Sequence, residues 1–141
     1  MIFNTFVDAD KTARKLYQRC ITATEAGLYD AAAFYMRKVL EVIASSFIDR
    51  YDEIGQGEVF NGFLEHRHRT RKTMSLDDKI DFLLDQGNIP NSSKKTYNAI
   101  RKYGNAAVHE VDFEEDVVKH LDLMVELENE LHAFRLMTYD K

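Results

Sequence analysis

The chain has 141 residues, with one cysteine, one proline, six glycines and a formal net charge of −5. That length suits one buried core, and the mix of apolar and charged residues excludes a disordered or a fibrous chain. A lone Cys20 excludes an internal disulfide and a thiolate metal centre, and it points to a reducing, cytoplasmic setting.

No apolar run approaches the roughly 20 residues of a membrane helix. The N-terminal MIFNTFVDADK lacks the basic-then-apolar order of a secretory signal. The net acidity argues against nucleic acid as a general partner, yet the charge is uneven. Arg67, Arg69, Arg71 and Lys72 form a basic cluster, and Glu110, Asp112, Glu114, Glu115 and Asp116 an acidic one. A local patch binds phosphate even on an acidic protein.

In chain order, Ala13, Leu16, Tyr17, Cys20, Ile21 and Thr24 recur at steps of three and four, predicting an amphipathic helix over 8–25. Asp8 or Asp10 is placed to cap it and Gly27 to stop it. Residues 28–50 are apolar almost all round, the mark of a central buried helix. Arg37 and Glu41 stand four apart on it and are expected to pair.

Residues 52–74 carry Gly55, Gly57 and Gly62 among charges and read as a long, mobile loop with a short helical turn at 59–64. Ser75-Leu76-Asp77-Asp78 opens the next helix as a capping box with an acid in place of Glu or Gln; the helix ends before Gly87. After the turn at 88–91, Ser92 or Ser93 is positioned to cap a helix bearing Tyr97 and Ile100. Over 114–137, Val117, Met124 and Leu131 alternate with His120, Leu127 and Phe134 as a packing seam. His120 on that seam reads as a hydrogen-bonded core histidine, and Tyr97 and Tyr103 as packing residues. No strand emerges; the sum is an all-α bundle of about five helices, a single domain over 1–141.

The stretch IRKYGNAAVHE, residues 100–110, carries the candidate chemistry. On a continuous helix Arg101, Asn105 and His109 share a stripe, but eight residues span roughly 12 Å of axis, too far to clasp one phosphate. Arg101 also leans away from His109. Two arrangements bring them together. Gly104 ends the helix in a left-handed conformation, with the Asn105 amide satisfying freed backbone groups, or two subunits each contribute one residue. His66-Arg67-His68-Arg69-Thr70-Arg71-Lys72, extended by Lys94, Lys95 and Lys102, is a candidate phosphate-contacting surface for nucleic acid. His66 and His68 lack a third ligand for a metal, and no cofactor fingerprint is present.

Three stretches resemble a known family. Tyr35-Met36-Arg37-Lys38-Val39-Leu40-Glu41 is similar to its LRxxLE segment, Asp78-Lys79-Ile80-Asp81-Phe82-Leu83 to its KIxxL segment, and Ile100 through His109 to its IRxxGNxAxH segment. The family is the HEPN-like domain of unknown function 4145. The resemblance implies a helical HEPN-type bundle, often dimeric. Many HEPN proteins are metal-independent ribonucleases of toxin–antitoxin, anti-phage and RNA-processing systems, with an arginine and, a few residues on, a histidine. By that resemblance His109 would do acid–base chemistry on an RNA 2′-hydroxyl and Arg101 would hold the phosphate. Here seven residues separate Arg101 from His109, and six separate Lys102 from it.

Three readings follow. The first is an interaction or RNA-associated module, homodimeric through the helices carrying 93–109 and 114–137, acting in phage–host conflict. The second is a metal-independent endoribonuclease using His109 and Arg101. The third is a protein-binding partner that meets a basic protein through the acidic segment 110–116.

Overall fold

The computed structural model describes residues 6–86, 89–109, 113 and 116–139. It contains six helices and, among the described residues, no strand: α1 (Phe6–Glu25), α2 (Tyr29–Glu53), α3 (Gly57–His66), α4 (Leu76–Gln86), α5 (Asn91–His109) and α6 (Val117–Tyr139). No helix in it is long and apolar enough to cross a membrane.

The all-round apolarity of 28–50 has the expected cause. α2 is the central helix, touched by α1, α3, α4, α5 and α6, and Met36, Val39, Leu40 and Ile43 are buried on it. Its neighbours bring Ala13 and Cys20 of α1, Ile80 and Leu83 of α4, Tyr97 and Ile100 of α5, and Leu127 and Leu131 of α6 into the same core. A second, smaller cluster of Ile48, Phe60, Leu64 and Phe82 holds α3 between the end of α2 and α4.

Two glycines make sharp corners. Gly27 (φ 75°) follows α1, donating its N–H to the Thr24 carbonyl (3.0 Å), while the Leu28 N–H reaches back to Ala23 (2.8 Å). Gly55 (φ 77°) ends α2 in the same way, with bonds from Gly55 to Asp52 (3.2 Å) and from Gln56 to Tyr51 (2.8 Å). This pair of crossed bonds is the Schellman closure, which wants a residue without Cβ at the left-handed position.

Several expectations are corrected. The long loop over 52–74 is interrupted by α3, ten residues rather than a single turn at 59–64, so the helices number six and not about five. Val59, Phe60, Phe63 and Leu64 have helical spacing, and burying Phe60 and Leu64 overrides the nearby glycines. Neither Asp8 nor Asp10 caps α1, because the helix already begins at Phe6, and buried Asp10 instead accepts from Arg14 one turn on (3.2 Å). Ser92 and Ser93 lie inside α5, and the Ser93 hydroxyl donates to the Glu130 carboxylate (2.9 Å). Glu41 pairs with Lys38 (3.3 Å) instead of Arg37. On α6, Val117 is exposed rather than part of the seam, and Leu123 is buried.

Candidate functional site

α5 runs without interruption from Asn91 to His109, and Gly104 is not among the described glycines with positive φ. The bend expected at Gly104 is therefore absent. Its lack of a side chain serves a different end. A Cβ there would lie 2.6 Å from Arg37 Cβ and 3.0 Å from the Ala33 carbonyl oxygen, so Gly104 lets the backbones of α2 and α5 approach closely.

With α5 straight, Arg101 and His109 stay roughly two turns apart, about 12 Å along the axis. Arg101 turns to α4. Its Nη1 donates to Asp81 Oδ1 and its Nη2 to Asn98 Oδ1 (2.8 Å). One turn on, Asn105 Nδ2 reaches toward Asp77 Oδ1 at 3.5 Å. His109 is exposed on the last turn of α5. One chain therefore does not assemble the histidine and the arginine in one cleft. A second copy would meet an Arg101 already bonded to Asp81 and Asn98.

The basic stretch after α3 is engaged in the same way. Arg67 Nη2 donates to Asp81 Oδ2 (2.7 Å) and its Nη1 to Asp78 Oδ1 (2.9 Å), while the guanidinium lies 4.9 Å from the Phe63 ring centre. Asp81 thus bridges Arg67 and Arg101, joining α4, α5 and the α3–α4 connection. The bond to Asp81 leads in raising the Arg67 pKa, against a smaller opposing effect of burial.

Asp78 also closes the capping box: its Oδ2 accepts the Ser75 N–H (2.7 Å), and the Ser75 hydroxyl accepts the Asp78 N–H (3.2 Å). Burial alone would raise the Asp78 pKa, but the Ser75 bonds and Arg67 outweigh it and hold the carboxyl below its ordinary value. Arg71 grips Asp52 through both terminal nitrogens (2.9 and 3.1 Å), donates to Asn61 (2.8 Å), and lies 4.7 Å from the Phe60 ring centre.

Arg69 lies 3.9 Å from Asp78 and lines a shallow groove of about 460 Å³ with Arg71, Lys72, Thr70, Asn61 and Glu65. Lys94 and Lys95 begin α5, and Lys102 lies two turns on. Of the predicted basic surface, Arg67 and Arg71 are therefore matched by carboxylates. Of the acidic residues in 110–116, all fall outside the described residues except Asp116, whose Oδ1 accepts the Lys119 N–H (3.0 Å) and caps α6.

His120 is buried and bonded at both ring nitrogens, by Tyr103 Oη at Nδ1 (2.5 Å) and Thr24 Oγ1 at Nε2 (2.8 Å). The Thr24 hydroxyl also donates to the Cys20 carbonyl (2.9 Å). With its one proton so placed, Thr24 accepts from Nε2–H, and Tyr103 donates to Nδ1. That network needs a neutral ring, and burial lowers the His120 pKa. Cys20 is buried as well, and burial pushes its thiol up to about 12, far from a reactive thiolate. The bonding roles of Asp81 in the ion cluster and of Tyr103 and Thr24 on His120 go beyond the sequence reading, which has Tyr103 only as a packing residue. The only signal was the acidic stripe Asp77, Asp78, Asp81 in α4, at the spacing of one helix face.

The fold and these contacts define an all-α domain whose charged residues fasten helices to one another across α2, α4 and α5. The family described as "Domain of unknown function (DUF4145)" matches residues 18–133, and the chain belongs to it. No curated protein and no solved structure matches the chain.

Proposed function

We propose that this chain is a HEPN-like helical interaction module that works as a homodimer and has no nuclease chemistry of its own. The three stretches that resemble HEPN-type segments fall on α2, α4 and α5; α4 and α5 both pack on α2 and are tied to each other by Arg101 and Asp81, and this supports the superfamily reading.

The observation that carries the proposal is the second apolar face of α6. Buried His120, Leu127, Leu131 and Phe134 face the core, while Val118 (71 % exposed), Leu121, Val125 (59 % exposed) and Leu136 form a stripe on the opposite side. A helix apolar on two sides calls for two packing partners. A second copy of the same face is the proposed occupant, since it matches the apolar stripe and adds Lys119–Glu126 contacts, with Asp122 meeting its own copy as the one like-charge contact. In an antiparallel pairing centred near Asp122 and Leu123, Leu121 meets the partner's Val125, and Lys119 meets the partner's Glu126 on the same flank. The nuclease reading has no such support, because Arg101 is bonded to Asp81 and Asn98 and lies far from His109.

Sedimentation equilibrium of the full chain tests the pairing. A dimer at micromolar concentration that becomes a monomer with Leu121→Lys and Val125→Glu, at unchanged helix content, is the expected result. A wild-type monomer at about 100 µM, a concentration at which even a modest interface associates, would sink it. Incubation with RNA in chelator separates the activities: the module leaves RNA intact, whereas cleavage lost in His109→Ala identifies a ribonuclease.

A further inference from the structure

We infer that residues 57–74 form a strap that opens from the bundle as one unit, baring an apolar floor on α2 and α4, and that arginine–carboxylate pairs latch it shut. The strap comprises α3 and the connection to α4. Its buried side chains, Phe60 and Leu64, belong to the smaller apolar cluster, on a floor of Ile48 from α2 and Phe82 from α4. The main core draws no residue from the strap. Leu40 and Ile43 on α2, and Ile80 and Leu83 on α4, stay packed when it lifts.

The charges divide along the same boundary, with arginines on the strap and carboxylates on the frame. Arg67 bonds Asp78 (2.9 Å) and Asp81 (2.7 Å), Arg69 lies 3.9 Å from Asp78, and Arg71 grips Asp52 (2.9 Å). Arg67 and Arg71 also lie over the Phe63 and Phe60 rings, so the charged and apolar contacts close together. Each of the three arginines keeps a third or more of its side chain in solvent, where dissolved salt screens it.

Within the strap, α3 is short and its closure is strained. Ten residues do not hold a helix alone in water, so a lifted α3 melts. The Arg69 N–H bonds the Leu64 carbonyl (2.8 Å) and leaves His68 at the left-handed position (φ 58°), where Gly27 and Gly55 serve α1 and α2. The connection bonds to itself, the Thr70 N–H to Thr73 Oγ1 (2.8 Å) and the Met74 N–H to the Thr70 carbonyl (2.8 Å). Left-handed Gly55 at one end and the Ser75–Asp78 box at the other are the hinges. No α6 residue enters the smaller cluster, so the opening does not depend on whether α6 pairs with a second copy.

Native-state hydrogen exchange of the full chain, in urea below the unfolding midpoint, tests this. The α3 amides over 61–66 are expected to exchange together, about tenfold or more faster than those of Leu40 and Ile43. Their urea slope should lie above zero and below that of α2, because opening bares only the smaller cluster. These slopes are read on the parent chain and need no variant. Leu127→Ala weakens the main core, which the open form keeps, so it speeds exchange in α2 and leaves α3 unchanged. Arg67→Gln and Arg71→Gln each speed α3 by about fivefold. Sodium chloride at 0.5 M speeds α3 in the parent chain, and less in either variant. Equal rates and slopes in α2 and α3, acceleration of both by Leu127→Ala, or α3 amides without a urea slope would overturn the strap. An α3 indifferent to salt and to both arginine variants would overturn the latch.

Discussion

Two polar centres of this molecule differ in the one variable that decides what a polar group is worth. His120 sits fully buried with Tyr103 and Thr24 closing both of its ring nitrogens. Around the α3–α4 corner, Arg67, Arg71, Asp52, Asp78 and Asp81 make more contacts, yet Arg67 keeps 36 % of its side chain exposed and Arg71 39 %. In the first centre water cannot replace a lost partner; in the second it can. The histidine network therefore sets how tightly α1, α5 and α6 are joined. The ion lattice orients α3 and α4 at modest gain.

Replacing His120 is the sharpest way to break that contrast. His120→Ala opens a cavity and takes away the ring nitrogen that Tyr103 Oη bonds, and should destabilise the chain by about 3 kcal/mol. The pH dependence has a fixed sign. The folded-state pKa lies below the unfolded value of about 6.5. Above that unfolded value the contribution is fully present. As pH falls below it, the unfolded chain takes up a proton that the folded ring refuses, and stability declines until the folded pKa is passed. Urea unfolding between pH 8 and pH 5, flatter in His120→Ala than in the parent over the acid half, checks this.

Gly104 offers the next largest effect and a test of sign. At an exposed helix position Gly→Ala stabilises by about 1 kcal/mol. Here the new methyl would meet Arg37 Cβ at 2.6 Å and the Ala33 carbonyl at 3.0 Å, and a backbone oxygen cannot step aside cheaply. Gly104→Ala is expected to lose about 1–2 kcal/mol net, with overpacking exceeding the propensity gain. A raised melting temperature would show that the helices have room to spare.

How much of this was legible depended on whether the determining partner lay nearby in sequence. The Ser75–Asp78 box and the stop at Gly27 are local, and both stood out in the residues. Gly104 looks like any other glycine until α2 is placed against it; the same residue type that breaks α1 and α2 continues α5. Ser93 carries the right chemistry for a cap, but its partner Glu130 is 37 residues away, and Pro90 lets the helix begin at Asn91. Arg37 was expected to meet Glu41 four residues on, yet it faces the α5 crossing, and the outward Lys38 takes the acid at three. The candidate pair Arg101 and His109 shows the same limit. Spacing alone left open a bend that only the continuous helix excludes.

Asp81 sharpens the comparison from the exposed side. Asp81→Asn removes the negative charge between Arg67 and Arg101 and one of the two acceptor oxygens they use, but leaves Arg67 on Asp78 and Arg101 on Asn98. The loss should be about 1 kcal/mol at low salt, after allowing for the exposure of Arg67, and should shrink in 0.5 M sodium chloride as the charges are screened. The His120→Ala loss should stay constant in the same salt, since no net charge is involved.

The smallest effect belongs to Arg50 and Glu53, three residues apart on the last turn of α2 at 3.3 Å, with side chains 58 % and 44 % exposed. Geometrically the pair resembles Arg67–Asp78, and a tally of salt bridges would rank them alike. Among the described residues neither member is shared and neither touches a ring, and both are well hydrated once released. Arg50→Ala should change stability by no more than a few tenths of a kcal/mol. A double-mutant cycle with Glu53→Ala checks this. A coupling above about 1 kcal/mol would mean that hydration discriminates less between the two regions than burial implies, and the low rank given to the α3–α4 lattice would have to rise with it.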